Sequence, residues 1–318
     1  MKPFLSIVIP VYNMRQFASY AVESALQQDD AEVIVFDDGS MDGLKDDMER
    51  KGGIRFFPRA ENRGIAATLN EAIRQARGEW VICFDADDIM GCTLSQELQV
   101  AVLNHSEADY FYYRLRNFTE SASKSSGYAK EYPESLFGED FAKVFRQGTL
   151  FKLSQVAIRR DVFDKLSFDE NLRYCVNSDF WLQLLAAGKR GYLIDKELML
   201  CRVHASGNSG GIDGLAKAKF ESLNVFLKWW PYALDEGVTK TELYSLHDAL
   251  ILKFVFNAIA SRKRRVYVSQ MGTYEFHSPS TRRKAKFLMF LSIIFPRIFL
   301  QKAEELYYAY KRHTQTKP

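Results

Sequence analysis

Cysteine is scarce in this 318-residue chain: Cys83, Cys92, Cys175 and Cys201 stand apart, with no Cys-x-x-Cys spacing among them. That excludes a disulfide scaffold and a thiolate zinc site as organising features, and a reducing compartment fits better. No secretion signal is expected either. After Lys2 the apolar run Phe4–Ile9 stops at Pro10, which is the length of a strand and not of a signal-peptide core. No apolar run approaches the ~20 residues that a bilayer-spanning helix needs. Pro10–Asn13 contains no glycine, so the glycine-rich phosphate loop expected of a nucleotidyltransferase is absent from the place where it would stand. There is no internal repeat, and no nucleic-acid recognition motif accompanies the basic residues.

Charge is uneven. The whole chain carries +3, but residues from Gly211 onward hold 18 Lys and Arg against 9 Asp and Glu, and the residues before it hold 25 against 31. An acidic front suits a cation, and a basic back suits a phosphate-rich partner or a solvated face. With 47% apolar residues the chain can bury one large core and a smaller one. Two units are expected, 1–210 and 211–318, with Gly210–Gly211 between them.

The front unit alternates short β-branched runs with amphipathic ones. Phe4–Ile9, Glu32–Phe36, Ile54–Phe57, Trp80–Phe84 and Asp109–Tyr113 read as strands; Ala18–Gln28, Ile65–Arg77 and Leu94–Asn104 read as helices. Later come Phe141–Arg146, Ser154–Ile158, a helix Asp179–Ala187 closed by Gly188, and strands Tyr192–Ile194 and Leu198–Val203; Ala216–Trp230 and Thr239–Ala260 are helical. Such alternation predicts an α/β fold with a mostly parallel, Rossmann-like sheet flanked by helices, and an all-helical C-terminal extension. Ligand sites in these sheets lie at the carboxyl ends of the strands.

The polar signals fall at those ends. In Phe84-Asp85-Ala86-Asp87-Asp88, side chains two apart share a face of an extended segment, so Asp85 and Asp87 can aim at one ligand. Crowded carboxylates repel unless a cation neutralises them, and hard oxygens suit Mg2+ or Mn2+. The plainer alternative is an acidic turn with Asp88 capping the next helix. Asp37-Asp38-Gly39-Ser40 after the second strand can meet a base edge or be an Asx turn. Tyr12, after the strand ended by Pro10, can stack on a base or be an interfacial tyrosine. Arg63-Gly64 opens a helix, where backbone N–H groups favour anions.

Taken together, in this order and spacing, these segments resemble the family 2 glycosyltransferases over roughly residues 4–210. The resemblance implies an inverting, nucleotide-sugar-dependent enzyme of the GT-A fold that acts on a glycan or lipid-linked saccharide in surface polysaccharide or lipooligosaccharide assembly. It further implies that Pro10, Tyr12, Asp38 and Arg63 line the pocket of a uridine nucleotide, and that Asp85 and Asp87 form the Asp-x-Asp element at ribose and metal. Arg202-Val203-His204 is similar to the family's Arg-x-His segment, which puts His204 at the metal or diphosphate. The departure is at the base. Ungapped, the usual carboxylate falls on Asn177 of Val176-Asn177-Ser178-Asp179-Phe180-Trp181, which cannot accept a proton. Asp179 is the expected base, with Asp169 and Glu170 as fallbacks. A nucleotide-sugar-binding module without turnover is the alternative that Asn177 keeps open. Acceptor determinants are expected around Ser121–Pro133.

Arg262–Arg265 and Arg282-Arg283-Lys284 bracket an aromatic-rich segment, and Phe287–Phe295 is nearly unbroken apolar before Pro296-Arg297. Apolar bulk flanked by cations predicts peripheral attachment to an anionic membrane surface, on the cytoplasmic face of the inner membrane, without nucleic acid as a partner. A buried helix or an oligomer contact through the C-terminal helices is the competing expectation.

Overall fold

The computed structural model describes residues 2–119, 126–127, 132–147, 151–204, 211–260 and 276–294. Most of the expected acceptor loop, the run Arg262–Arg265 and the end of the apolar tail lie outside the described residues. Contacts divide the chain into two compact units, Met1–Val203 and His204–Lys317.

The first unit is built on one sheet. Strands β1 (Leu5–Val11), β2 (Ala31–Asp37), β3 (Ile54–Pro58) and β4 (Trp80–Cys83) alternate with helices α1 (Arg15–Ala25), α2 (Leu44–Glu49) and α3 (Ile65–Gln75). The short β5 (Ile89–Met90) leads to α4 (Leu94–Asn104), then β6 (Tyr110–Phe118), β7 (Ser126–Gly127), β8 (Ser135–Leu136), α5 (Phe141–Gln147), β9 (Val156–Arg159), α6 (Val176–Ala186) and β10 (Gly191–Arg202). The order is β3-β2-β1-β4-β9-β6-β10-β5, with β7 on β6 and β8 on β10. The α/β class stands, and the sheet is mixed. β1 pairs in parallel with β2 and β4, β2 with β3, and β6 with β10. β9 runs antiparallel to both β4 and β6, and a single turn of 3-10 helix, Leu153–Gln155, leads into it.

Burial explains the run of apolar residues in β1: six of its seven are buried, as in a strand covered on both faces. The core joins Ile7, Ile9, Val35, Trp80, Ile82, Phe84, Phe111 and Leu198. In β6 the buried tyrosines each satisfy their hydroxyl: Tyr110 donates to Leu136 O at 3.1 Å, Tyr112 to Pro133 O at 2.6 Å and Tyr113 to Ser154 O at 2.7 Å. The two strands expected at Tyr192–Ile194 and Leu198–Val203 are one strand, β10, whose pairing with β6 is irregular between Ile194 and Met199. That irregularity breaks the period of two and splits the pattern in the sequence.

The second unit is helical among its described residues: α7 (Gly211–Asp235), α8 (Lys240–Ala260) and α9 (Pro279–Ile294). A small core of Ala216, Leu223, Ile251, Phe254, Val255, Ala258 and Ala285 holds them. Asp248 holds the segment that enters α9, accepting the N–H groups of His277 and Ser278 at 3.1 and 2.8 Å. No helix among the described residues is long and apolar enough to cross a membrane.

Candidate active site

The edge of the sheet where β1, β2 and β4 end collects the polar residues. Opposite strand direction brings β9 to the same edge by its beginning, since Ile82 pairs with Ala157 and Trp80 with Arg159. β10 reaches it by its end, Cys201 and Arg202, beside Asn117 and Phe118 of β6. After β4 the chain passes over this edge and pairs as β5 on the far side of β10, Ile89 against Leu200. Phe84–Asp88 therefore bridges the top of the sheet.

On that bridge Asp85, Asp87 and Asp88 each offer a carboxylate oxygen, all within 4.8 Å of one another. Asp88 is fully buried and does not cap α4, which begins only after Thr93. Its Oδ1 accepts the Arg202 backbone N–H at 2.9 Å, and the Arg202 guanidinium donates Nε to Asp87 O at 2.9 Å. That guanidinium lies over the rings of Phe118 and Phe17, 4.6 and 4.9 Å from their centroids, so its orientation is fixed by stacking as well as by the hydrogen bond. Ser154 Oγ sits 3.2 Å from Asp85 Oδ2 and 3.4 Å from Asp88 Oδ2. Lys152 Nζ lies 3.6 Å from Asp88 Oδ2 and 3.9 Å from Asp85 Oδ2, and donates to Cys201 Sγ at 2.8 Å.

Electrostatics follow from the crowding. Burial pushes the Asp88 carboxyl up to about 7, with Lys152 pulling against it and Asp85 and Asp87 adding to it. Asp85 is raised as well, first by loss of solvation, with Lys152 opposing and Asp87 reinforcing. For Lys152 burial opposes the charge, but Asp88 and Asp85 outweigh it and raise the ammonium above its ordinary value. Burial pushes the Cys201 thiol up to about 12.

A second cluster stands at the ends of β2 and β3. Asp38 is buried, and both oxygens are used: Oδ1 accepts Arg63 N at 2.9 Å and Arg59 Nη1 at 2.6 Å, and Oδ2 accepts Gly64 N at 2.8 Å. The N–H groups at the start of α3, expected to favour an anion, thus receive the chain's own carboxylate. Gly39 has φ +80°, and a Cβ there would meet the Glu61 backbone at 2.9 Å, so the turn after β2 packs directly on the loop before α3. Ser40 N–H goes to Asp37 Oδ1, and Met41 N–H to Asn13 Oδ1, each at 2.9 Å, tying that turn to the end of β1. Pro10 is half-buried opposite Phe36, Tyr12 is 46% exposed, and Arg63 is exposed and reaches Glu71 at 2.7 Å.

Asp179 lies in the first turn of α6, which begins three residues earlier than expected, and is 1% exposed. Its Oδ2 accepts Gln183 Nε2 at 2.8 Å. Asn177 is half-buried, and His204 is the first residue of the second unit. Three residues of these clusters carry no signal in the sequence: Arg59, Lys152 and Ser154.

The sequence model of the family described as Glycosyl transferase family 2 matches residues 6–167, half of the chain. The chain belongs to that family. Relatives of this chain include an uncharacterized glycosyltransferase of Rickettsia conorii, 27% identical over 79% of this chain and 38% of the relative, and the uncharacterized glycosyltransferase EpsJ of Bacillus subtilis, 25% identical over 64% of this chain and 62% of the relative. The chain thus spans less than two thirds of either. Among solved structures, S. aureus TarS 1-349 in complex with UDP-GlcNAc superposes with a TM-score of 0.57 at 16% identity, covering 78% of this chain and 72% of that one. The mannosyltransferase PcManGT from Pyrobaculum calidifontis, in complex with GDP-Man and Mn2+, gives 0.53 at 18% identity over 100% of this chain and 89% of its own. At these identities the likeness establishes the GT-A fold.

The raised Asp88 carboxyl has a consequence for stability. An unfolded aspartate ionises near 3.9, so between there and about 7 the folded protein holds a proton that the unfolded chain has released. The contribution of Asp88 to stability without metal therefore falls as pH rises through that window, and Asp88→Asn removes this contribution from the profile. Thermal melts in chelator from about pH 4 to about pH 7.5 check it; identical profiles for the two proteins contradict it.

Proposed function

We propose that this chain transfers a sugar from a nucleotide-sugar donor, with uridine diphosphate as the nucleotide, to a saccharide or lipid-linked acceptor in surface glycan assembly, inverting the anomeric carbon. The observation that carries the reading is the convergence of Asp85, Asp87 and Asp88 on the sheet edge where β1 and β2 also end, in a chain of glycosyltransferase family 2. The nucleotidyltransferase alternative has no comparable support.

The aspartates fit a divalent cation by their donor chemistry: hard carboxylate oxygens, within 4.8 Å of one another. Mg2+ and Mn2+ both suit such a set. Bound there, the cation supplies positive charge against the leaving diphosphate. Asp85, Asp87 and Asp88 would hold it, and Arg202 fixes the backbone of Asp87. Tyr12 offers an exposed ring for the base. Asp38 fixes the loop carrying Arg63, and so shapes the wall of the same pocket.

Asp179 is the base in this proposal. It takes the proton of the acceptor hydroxyl as that oxygen attacks the anomeric carbon and the nucleoside diphosphate departs. Its 1% exposure and its Gln183 contact favour a second reading, in which Asp179 anchors α6 and the chain binds a nucleotide sugar without turning it over. α9 presents Arg282, Arg283, Lys284 and Phe287 to solvent, which supports contact with an anionic membrane surface.

Asp87→Ala is expected to lower sugar transfer by at least about 100-fold with little change in melting temperature, in a donor screen with Mn2+ present; near-full turnover removes Asp87 from the site. Asp179→Asn is expected to stop transfer while nucleotide binding stays. A wild-type chain that binds the donor and never turns it over, or an active Asp179→Asn, moves the base elsewhere or establishes the binding-module reading. Co-sedimentation with anionic and with neutral vesicles tests the tail: retention only by anionic ones is expected, and retention by neither rejects membrane contact.

A further inference from the structure

Lys152 stands inside the acid cluster on a rigid base. Its backbone N–H donates to Gln155 Oε1 at 3.1 Å, Gln155 Nε2 donates to Tyr113 O at 2.9 Å, and the Tyr113 hydroxyl holds Ser154 O at 2.7 Å. The segment bearing the ammonium is thus pinned to the centre of the sheet, unlike a lysine swinging from a surface helix. The ammonium lies 3.6 and 3.9 Å from two of the three carboxylates that would gather a divalent ion. Two like-signed charges then compete for the same oxygens. The ammonium stabilises the crowded aspartates before any ligand arrives, and it repels the ion that they attract.

We propose that Lys152 is a resident counter-cation of the donor site: it holds Asp85 and Asp88 together in the free protein, keeps divalent-cation affinity low there, and so makes tight metal binding depend on arrival of the donor diphosphate. This rests on the reading of Asp85, Asp87 and Asp88 as a divalent-cation site. A diphosphate brings negative charge that the ammonium and the ion can both face, so their mutual repulsion is offset only in the ternary complex. Metal and nucleotide then strengthen each other's binding by the same factor, as linkage requires. Lys152 is a positioning residue in this account, and it tunes the order in which the ligands bind.

The test is a titration of Mn2+ into the full chain, followed by the electron paramagnetic resonance signal of free Mn2+, with and without uridine diphosphate. The wild type is expected to bind Mn2+ weakly alone and tightly with the nucleotide. Lys152→Met, which keeps the stem and removes the charge, is expected to bind Mn2+ alone on the order of tenfold tighter and to gain less from the nucleotide. Lys152→Arg is expected to restore the wild-type pattern. Unchanged or weaker Mn2+ binding by a folded Lys152→Met overturns the inference while leaving the donor site in place. If Lys152→Met melts early in chelator, Mn2+ should restore its melting temperature; failure of that rescue also overturns it. A wild type that takes up no Mn2+ even with the nucleotide present removes the donor-site reading, and this inference with it.

Discussion

Carboxylates brought within 4.8 Å of one another, one of them fully buried, cannot all stay ionised without neighbouring positive charge, because each loses hydration and gains repulsion. The arrangement of the whole front unit answers that constraint. β9 runs against its neighbours, and only in that direction does its beginning deliver Lys152 and Ser154 to the aspartates at the end of β4. β10 ends beside them with the Arg202 N–H and guanidinium. The bridge from β4 to β5 crosses the same edge. A sheet with β9 parallel would carry those groups to the opposite edge and leave the cluster without its ammonium.

The neighbouring cluster is organised by the opposite means. Around Asp38 the partners are several, two backbone N–H groups and Arg59, which also pairs with Glu71, so the Asp38 charge is satisfied within the fold. Asp38 is therefore a fastener between the turn after β2 and the start of α3, and Gly39 lets those two loops touch. The contrast distinguishes the two ends of the proposed donor cleft. One is closed and structural, suited to a neutral base; the other crowds three carboxylates, a donor set suited to a metal ion.

Much of this fold is legible in the sequence because its signals are local. The run Phe4–Ile9, the helix after Gly64 and the acids after Trp80–Phe84 each declare themselves within a few residues, through period, caps and strand ends. What the sequence hides is long-range pairing. Ser154 meets Asp85 across 69 positions, and Arg202 meets Asp88 across 114; no spacing rule links them. Asp88 reads as a helix cap when its neighbours alone are considered, and becomes the buried centre of the cluster once β5 pairs with β10. Helix α6 starts a turn earlier than its apolar pattern suggests, and that shift carries Asp179 from the terminus into a buried first turn. Arg63 is legible as a cation at a helix start, but the anion for its N–H group is Asp38, which only the pairing of β2 with β3 brings near.

The aspartates at the end of β4 are proposed to hold a divalent ion against a nucleoside diphosphate. Calorimetric titration of uridine diphosphate into metal-stripped protein, repeated after adding Mn2+, tests it most directly. Saturable binding that needs the metal and disappears again with chelator is the predicted result; equal affinity with and without Mn2+ would contradict it.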